Sequence, residues 1–158
     1  MDLLYSLEEI SDRLAIYDLY ARYVHHADAF DHDELDRIFD LDTVMDWTDG
    51  GYRSMTWEEA KADGLMTGGM LSHAFHINTN FLIRFGDNRL TAEVVSKTIQ
   101  PAGVPAKNGK SNAFQVQGGY RDQLVRLPDR WKIRHRKWQN AFLFSAGDVR
   151  SLMGQMFE

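Results

Sequence analysis

Apolar residues recur at alternating spacings of three and four along the first part of the chain, which is the pattern of one face of an α-helix. The residues of this pattern are Leu3, Leu7, Ile10, Leu14, Tyr17, Ala21 and Val24. Ser6, followed three residues later by Glu9, forms a capping box that predicts where the helix begins. We therefore predict a long first helix with this face buried, and the next position on the same face is Asp28.

Two further capping boxes predict shorter helices. Asp31 with Glu34 begins the second helix, and Thr56 with Glu59 begins the third. The residues between these two helices contain β-branched residues followed by a glycine turn, so they predict a short β-hairpin.

After Leu71 the pattern changes to long stretches of strand-forming residues separated by turns. Strands are predicted over 74–85, 89–100, 111–126 and 130–144, with a loop rich in proline and glycine beginning at Pro101. Helices followed by long antiparallel strands are the order of an α+β protein. We predict a single α+β domain over residues 1–158, shaped to enclose one small and mostly apolar molecule.

The composition excludes several classes of function. The 158 residues are 44% hydrophobic and 26% charged and include no cysteine, which excludes disulfides, thiolate nucleophiles and cysteine metal sites. The acidic N-terminus does not resemble a signal peptide, so we expect a cytoplasmic protein without a membrane partner. A net charge of -5 argues against nucleic acid. The basic run at 130–138 is interpreted as a strand with a solvated outer face.

Asp28 is the first candidate for chemistry, because a carboxylate that continues an apolar face needs a partner if it is buried. The alternative is that the helix ends near Ala27 and that Asp28 faces water or caps the following turn. The partner candidates are His73 and His76, where the helices give way to the sheet. An aspartate on one ring nitrogen fixes the tautomer of a histidine and makes the other nitrogen a better base. The alternative for either histidine is a structural hydrogen bond.

A metal site that also uses the adjacent pair His25 and His26 is less favoured, because neighbouring residues on a helix point about 100° apart. The sequence also contains no phosphate loop, nucleophile elbow or dinucleotide fingerprint. We therefore predict no metal and no cofactor. The high aromatic content is mostly core, and part of it is expected to line a pocket for a ring-shaped ligand.

Several segments resemble the SnoaL-like branch of the nuclear transport factor 2-like superfamily. They are 16–23 with Asp28, the strand start at 76–80, and the segments 118–122 and 131–133. The resemblance implies a cone-shaped barrel, in which three N-terminal helices pack on a strongly curved, mixed and mostly antiparallel sheet around one pocket. Members of the branch include scytalone dehydratase, bile acid 7α-dehydratase and hexachlorocyclohexane dehydrochlorinase.

The resemblance also implies a catalytic pair. In the dehydrochlorinase, an aspartate eight residues after a Leu-Tyr pair orients a histidine that begins a His-x-x-Thr-Asn strand. Asp28 follows Leu19-Tyr20 in this way, and His76 precedes Thr79-Asn80. The predicted catalytic residues are therefore Asp28 and His76. The predicted substrate-contacting residues are Tyr23, Trp47, Tyr52, His73, Asn78, Phe81, Tyr120 and Trp138.

Two features of the sequence differ from what the resemblance implies. The strand at 89–100 lacks the second histidine that scytalone dehydratase uses. In a regular strand, moreover, His76 would share a face with Asn78 and Asn80, and Phe81 would lie on the other face. A β-bulge near Asn78 would let both sets point inward.

These features predict a cofactor-independent lyase or isomerase that acts on a small aromatic or alicyclic substrate. His76 would be the general base for loss of water, halide or a one-carbon fragment. The alternatives are a non-catalytic small subunit of a ring-hydroxylating dioxygenase and a ligand-binding module. The resemblance further implies a homo-oligomer, either a dimer or a trimer.

Overall fold

A computed structural model of the protein describes residues 4–63, 71, 73–105 and 111–145. The helices are α1 (Leu7–Asp28), α2 (His32–Leu35) and α3 (Trp57–Ala62), with a 3₁₀ turn at Thr48–Gly50. The strands are β1 (Phe39–Asp46), β2 (Ser54–Thr56), β3 (His73–Ala74), β4 (Ile77–Phe85), β5 (Thr91–Pro105), β6 (Ser111–Arg126) and β7 (Trp131–Ser145). The predicted order of helices and strands is confirmed, except that the strand predicted over 74–85 is divided into β3 and β4.

The strands form one strongly curved mixed sheet in the order β2-β1-β7-β6-β5-β3, and β4 pairs with β5. The pair β1 and β7 is parallel, whereas the other pairs are antiparallel. The three helices pack against this sheet and complete a cone-like α+β half-barrel, as the sequence predicts. Among the described helices, none has both the length and the apolar character needed to cross a bilayer.

Strand β5 is longer than predicted. The predicted loop from Pro101 is wrong for its first part, because pairing with β6 continues from Pro101 to Pro105. Proline removes only the backbone donor, and the Pro101 carbonyl still accepts from the Phe75 N–H at 2.9 Å. The strand thereby reaches far enough to pair Ala102 and Gly103 with Ala74 and His73 of β3.

The predicted buried face of α1 is wrong. Leu7, Leu14 and Tyr17 are exposed. The residues that α1 buries are Asp12, Ile16, Leu19, Tyr20, Tyr23 and Ala27. The helix is apolar on two adjoining sides, and the sheet packs on the side that carries two large tyrosine rings. Asp12 is buried on that side and pairs with Arg126 at 3.2 Å.

The core lies between the helices and the inner face of the sheet. The fully buried side chains that fill it include Ile16, Leu35, Phe39, Trp57, Val94 and Ile133. The inner face is defined by directly paired residues of β5, β6 and β7, such as Val94 opposite Asp122 and Asp122 opposite Arg136. Two buried charged residues thus belong to this face.

A β-bulge in β4 changes which residues point inward. Asn78 pairs with Thr98, whereas Ile83 pairs with Val94, and the register shifts between Thr79 and Leu82. Thr98 and Val94 are both buried on the inner face. The strand therefore carries Asn78 inward before the bulge and Ile83 inward after it, and the bulge lies at Asn80, where the backbone φ is 56°.

The positive φ of Asn80 yields a stability prediction. Asparagine tolerates the left-handed region, whereas alanine is strained there by about 1–2 kcal/mol. We expect Asn80→Ala to be less stable than Asn80→Gly by about 1 kcal/mol, because both remove the amide and only alanine has a Cβ. Urea unfolding of the two variants measures this difference, and equal midpoints would contradict the assigned backbone conformation.

Candidate active site

Asp28 and His76 are joined by three hydrogen bonds. Asp28 is the last residue of α1, and His76 immediately precedes β4. The His76 backbone N–H donates to both carboxylate oxygens, at 3.1 and 3.0 Å, and the ring Nδ1 lies 2.6 Å from Oδ1. The side chain of His76 is 12% exposed and that of Asp28 is 22% exposed. The structure therefore brings together the two residues that the sequence motifs pair.

The hydrogen bonds determine the tautomer of His76. An ionised carboxylate can only accept, so the Nδ1 atom that faces it carries the proton. The other ring nitrogen, Nε2, then holds a free lone pair. The C-terminal end of a helix also carries partial negative charge, which favours a cation beside it. A proton that Nε2 gains is therefore stabilised both by the Asp28 carboxylate and by the end of α1.

His76 borders a cavity of about 130 Å³ inside the cone. Its walls are mostly apolar, and they include Phe30, Met45, Trp47, Phe114, Val116 and Trp138. The polar residues among those that line it are Tyr23, His76, Gln100, Tyr120 and Arg136. A small number of polar groups in an otherwise apolar cavity is typical of a binding site for a small molecule.

Four of the predicted substrate-contacting residues line this cavity. Tyr23 comes from α1, Trp47 directly follows β1, and Tyr120 and Trp138 are directly paired on β6 and β7. Each lies on the inner side of its element, and the first three are at least nine-tenths buried.

The other four predicted residues are not among the described residues that line the cavity. Tyr52 packs on the edge of the core and donates its hydroxyl proton to Asp63. His73 is exposed and its ring packs closely against Gly103 of β5. Phe81 packs against Tyr17 and Tyr20, with ring centroids 5.2 and 4.8 Å apart, because it follows the bulge and faces α1.

Asn78, the fourth of these residues, lines a separate groove between α1 and β4. Asp28 and His76 border the same groove. The side-chain nitrogen and oxygen of Asn78 are buried and have no hydrogen-bond partner among the described residues. Asn78 therefore shares this groove with both catalytic candidates.

The sequence interpretation missed two polar residues of the cavity, Gln100 and Arg136. Gln100 lies on the part of β5 next to the predicted loop. Arg136 belongs to the basic run for which the strand pattern predicts a solvated outer face, but its side chain is fully buried. Alternation along β7 could have placed it inside if the register shift between Ile133 and His135 had been known.

Arg136 forms a buried ion pair with Asp122. Its Nε and Nη2 donate to the carboxylate at 3.1 and 2.8 Å, and both side chains are 0% exposed. Tyr20 also donates to Asp122, at 2.5 Å. Burial acts to lower the pKa of Arg136, but Asp122 and Tyr23 outweigh it and hold the pKa well above the usual value. The guanidinium therefore keeps its positive charge.

The charge of Arg136 lies against two tyrosine rings of the cavity. Its guanidinium carbon is 4.0 Å from the ring centre of Tyr23 and 4.2 Å from that of Tyr120. The third nitrogen, Nη1, is buried and has no hydrogen-bond partner among the described residues. A fixed positive charge thus lies against the rings of Tyr23 and Tyr120 in the wall of the cavity.

The described residues do not form a cluster of metal ligands. No three side chains of histidine, aspartate or glutamate come together there in a group that could hold an ion. His26, one of the residues considered for a metal, instead lies 3.2 Å from Asp31.

Comparisons with known proteins agree with this architecture. The family described as a SnoaL-like domain matches residues 8–137. No curated protein matches the sequence. A candidate scytalone dehydratase from Novosphingobium aromaticivorans is 20% identical, covers 88% of this chain and 90% of its own, and has a TM-score of 0.74.

Two further solved structures are similar over most of the chain. A candidate aromatic ring hydroxylase from the same organism is 28% identical, covers 87% of this chain and 94% of its own, and has a TM-score of 0.72. A type 2 hexachlorocyclohexane dehydrochlorinase, LinA, is 18% identical, covers 90% of this chain and 94% of its own, and has a TM-score of 0.73. At these low identities the similarity shows a shared fold.

Proposed function

The chain belongs to the SnoaL-like domain family, and on that premise we propose that it is a cofactor-independent enzyme in which His76 removes a proton from a small cyclic substrate. The observation that carries the proposal is the position of His76. Its Nδ1 is held by Asp28 at 2.6 Å, and the same ring borders a mostly apolar cavity. A neutral imidazole in such a place is suited to act as a general base near neutral pH.

The reaction we propose is an elimination. Nε2 of His76 takes a proton from carbon, and the electron pair of the C–H bond forms a double bond while a group on the neighbouring carbon leaves with its bonding pair. Halide can leave as the anion, and hydroxide can leave as water by taking the proton that His76 carries. Return of that proton to a different carbon would instead give an isomerisation.

The size of the cavity supports a substrate with one ring. Engineered apolar cavities of about 150 Å³ hold a single benzene molecule. The cavity here has about 130 Å³. We therefore expect monocyclic substrates, aromatic or alicyclic, to be turned over in preference to fused ring systems.

The experiment that tests the proposal is proton exchange in D₂O. The purified chain, without added cofactor, is incubated with monocyclic ketones and with monocyclic compounds that carry a hydroxyl or halide next to an acidic C–H bond. Mass spectrometry then follows deuterium incorporation and product formation. Catalysed exchange or elimination that depends on His76 is expected, and a rate equal to that of buffer for every compound would contradict the proposal.

Asp28→Asn is expected to lower kcat by about 10²-fold or more, because the amide neither fixes the basic tautomer nor stabilises the imidazolium. The amide oxygen introduced by this substitution can still accept from the His76 backbone N–H, so the fold and KM should change little. The pH–rate profile and the unfolding midpoint are measured together. A parallel loss of stability and activity would indicate that Asp28 has only a structural role.

A second candidate is a subunit of a ring hydroxylase. One observation favours a subunit. Exposed apolar residues can form a contact surface for another protein, and Ile77, Leu82 and Ile99 are exposed on the outer side of β4 and β5. A structure similar to this chain is also that of a candidate aromatic ring hydroxylase. Activity of the purified chain alone in the exchange assay would distinguish the enzyme from such a subunit.

A further inference from the structure

The Asp28–His76 pair borders the groove between α1 and β4 as well as the cavity. The groove has a volume of about 440 Å³. Among the described residues, His76 is the only one that lines both spaces. The groove is therefore a separate space, and a ligand bound in it would contact a different set of side chains from the substrate in the cavity.

Aromatic rings form much of the wall of the groove. Phe75 is 59% exposed and Tyr17 is 46% exposed, although both side chains are large and mostly apolar. Phe81 packs edge to face with Tyr17, with the ring centres 5.2 Å apart. The face of an aromatic ring carries negative charge and attracts a cation placed over it. The groove thus offers ring faces to a cation and apolar contact to the rest of a ligand.

The charges around the groove also favour a cation. Asp28 contributes a carboxylate that is 22% exposed, and no lysine or arginine is among the described residues that line the groove. Asp28 is the last residue of α1, and the C-terminal end of a helix carries partial negative charge. The cavity has the opposite character, because the guanidinium of Arg136 lines it. A small organic cation should therefore prefer the groove to the cavity.

Two oxygen atoms of the groove can accept further hydrogen bonds. Among the described residues, Asp28 Oδ2 accepts only from the His76 backbone N–H, at 3.0 Å, and a carboxylate oxygen can accept from two donors. The side-chain oxygen of Asn78 is buried and has no partner among the described residues. Buried polar groups are normally paired, so a donor that reaches this oxygen is favoured. A primary ammonium has three N–H donors, enough for both oxygens.

We propose that the groove is a binding site for primary arylalkylammonium ions. The ammonium lies at Asp28 and Asn78, and the aromatic ring of the ligand packs against Phe75 and Tyr17. The carboxylate, the end of α1, the ring faces and the open acceptors all favour the same class of ligand. The proposal concerns binding, and it does not depend on whether His76 removes a proton from a substrate in the cavity.

Two matched probes test the site. 4-Fluorobenzylammonium and 4-fluorobenzyl alcohol have the same ring and the same linking carbon and differ in charge. Their affinities are measured by ¹⁹F NMR titration of the purified protein at about pH 8, where an ordinary histidine is neutral, so that His25 in the groove does not repel the cation. We expect the ammonium to bind about tenfold more tightly than the alcohol, and this preference to shrink as salt is added. Equal affinities, or no binding of the ammonium, would overturn the proposal.

Two substitutions of Phe75 test the contribution of the ring face. Phe75→Leu keeps an apolar side chain but removes the ring, so the affinity for the ammonium should fall about two- to fivefold, and the affinity for the alcohol should fall less. Phe75→Trp should bind the ammonium at least as tightly as the wild type, because tryptophan is the best ring for a cation. Phe75 is exposed, so both variants should fold. Unchanged affinity for the ammonium in Phe75→Leu would contradict the proposal.

Two further variants separate the groove from the cavity. Asp28→Asn removes the charge and keeps the shape, so it should abolish the preference for the ammonium over the alcohol. Val116→Phe narrows the cavity, which Val116 lines, and should leave the affinity for the ammonium within about twofold of the wild type. Retention of the full preference in Asp28→Asn would contradict the proposal. Loss of ammonium binding in Val116→Phe but not in Phe75→Leu would place the probe in the cavity and would also contradict it.

Discussion

Replacing His76 with alanine is expected to lower the rate of proton removal by about 10²- to 10⁴-fold, the range that a positioned general base contributes. The fold should survive, because the His76 backbone N–H that binds both oxygens of Asp28 is kept in the variant. The rate is measured by deuterium exchange or by product formation, and the unfolding midpoint is measured on the same preparation. Added imidazole should restore part of the activity by occupying the space of the lost ring.

The matched control is His135→Ala. His135 lies on β7 next to the register shift and is not among the described residues that line the cavity. We expect its activity to remain within about twofold of the wild type, since substitutions away from a site have small effects. Full activity in His76→Ala would exclude His76 as the base and would assign the proton removal to another group.

The sequence could predict the Asp28–His76 pair because two short motifs resemble those that carry such a pair in the SnoaL-like branch. Asp28 ends the first helix and His76 begins a strand, and each position is set by residues within one turn or one strand of it. The pairing needs only that the end of α1 meets the start of β4. Small errors in the predicted ends of the helix or the strand therefore do not remove the pair.

The buried face of α1 could not be predicted in the same way. Two neighbouring sides of the helix carry apolar residues, and spacing alone does not distinguish them. Contacts with residues that are distant in the sequence decide which side of α1 is buried. Tyr20 binds Asp122 and Asp12 binds Arg126, both on β6. Polar residues that break the apolar pattern therefore decide which side is buried.

The alternation of inward and outward residues fails where β4 and the first half of β7 are bulged. One extra residue at Asn80 changes the inward set of β4, and one at Arg134 changes that of β7. A bulge changes the parity of every residue beyond it. Arg136 is inside for this reason, although alternation through Trp131 and Ile133 without a bulge would place it outside. The sequence suggested the first bulge, because only a bulge lets both Asn78 and Phe81 point inward, but it carried no signal for the second.

Arg136→Met is expected to lower the free energy of unfolding by about 3–5 kcal/mol, because it leaves the Asp122 carboxylate buried and uncompensated. Both side chains of the pair are 0% exposed, so water cannot replace the guanidinium. Tyr20 would remain as the donor to Asp122. Urea unfolding followed by tryptophan fluorescence measures the change. Arg134→Met is the matched control, since its side chain is 42% exposed and its pairs with Asp40 and Asp42 should contribute only about 1 kcal/mol.

The triple variant Tyr20→Phe, Asp122→Leu, Arg136→Met tests the cause of this loss. It replaces the whole polar cluster with apolar side chains of similar size, a change that is often neutral for a buried ion pair. We expect the triple variant to regain most of the stability that Arg136→Met loses, because no buried charge is left without a partner. If the triple variant unfolds as easily as Arg136→Met, then packing of the arginine against Tyr23 and Tyr120, rather than charge compensation, is what stabilises this part of the core.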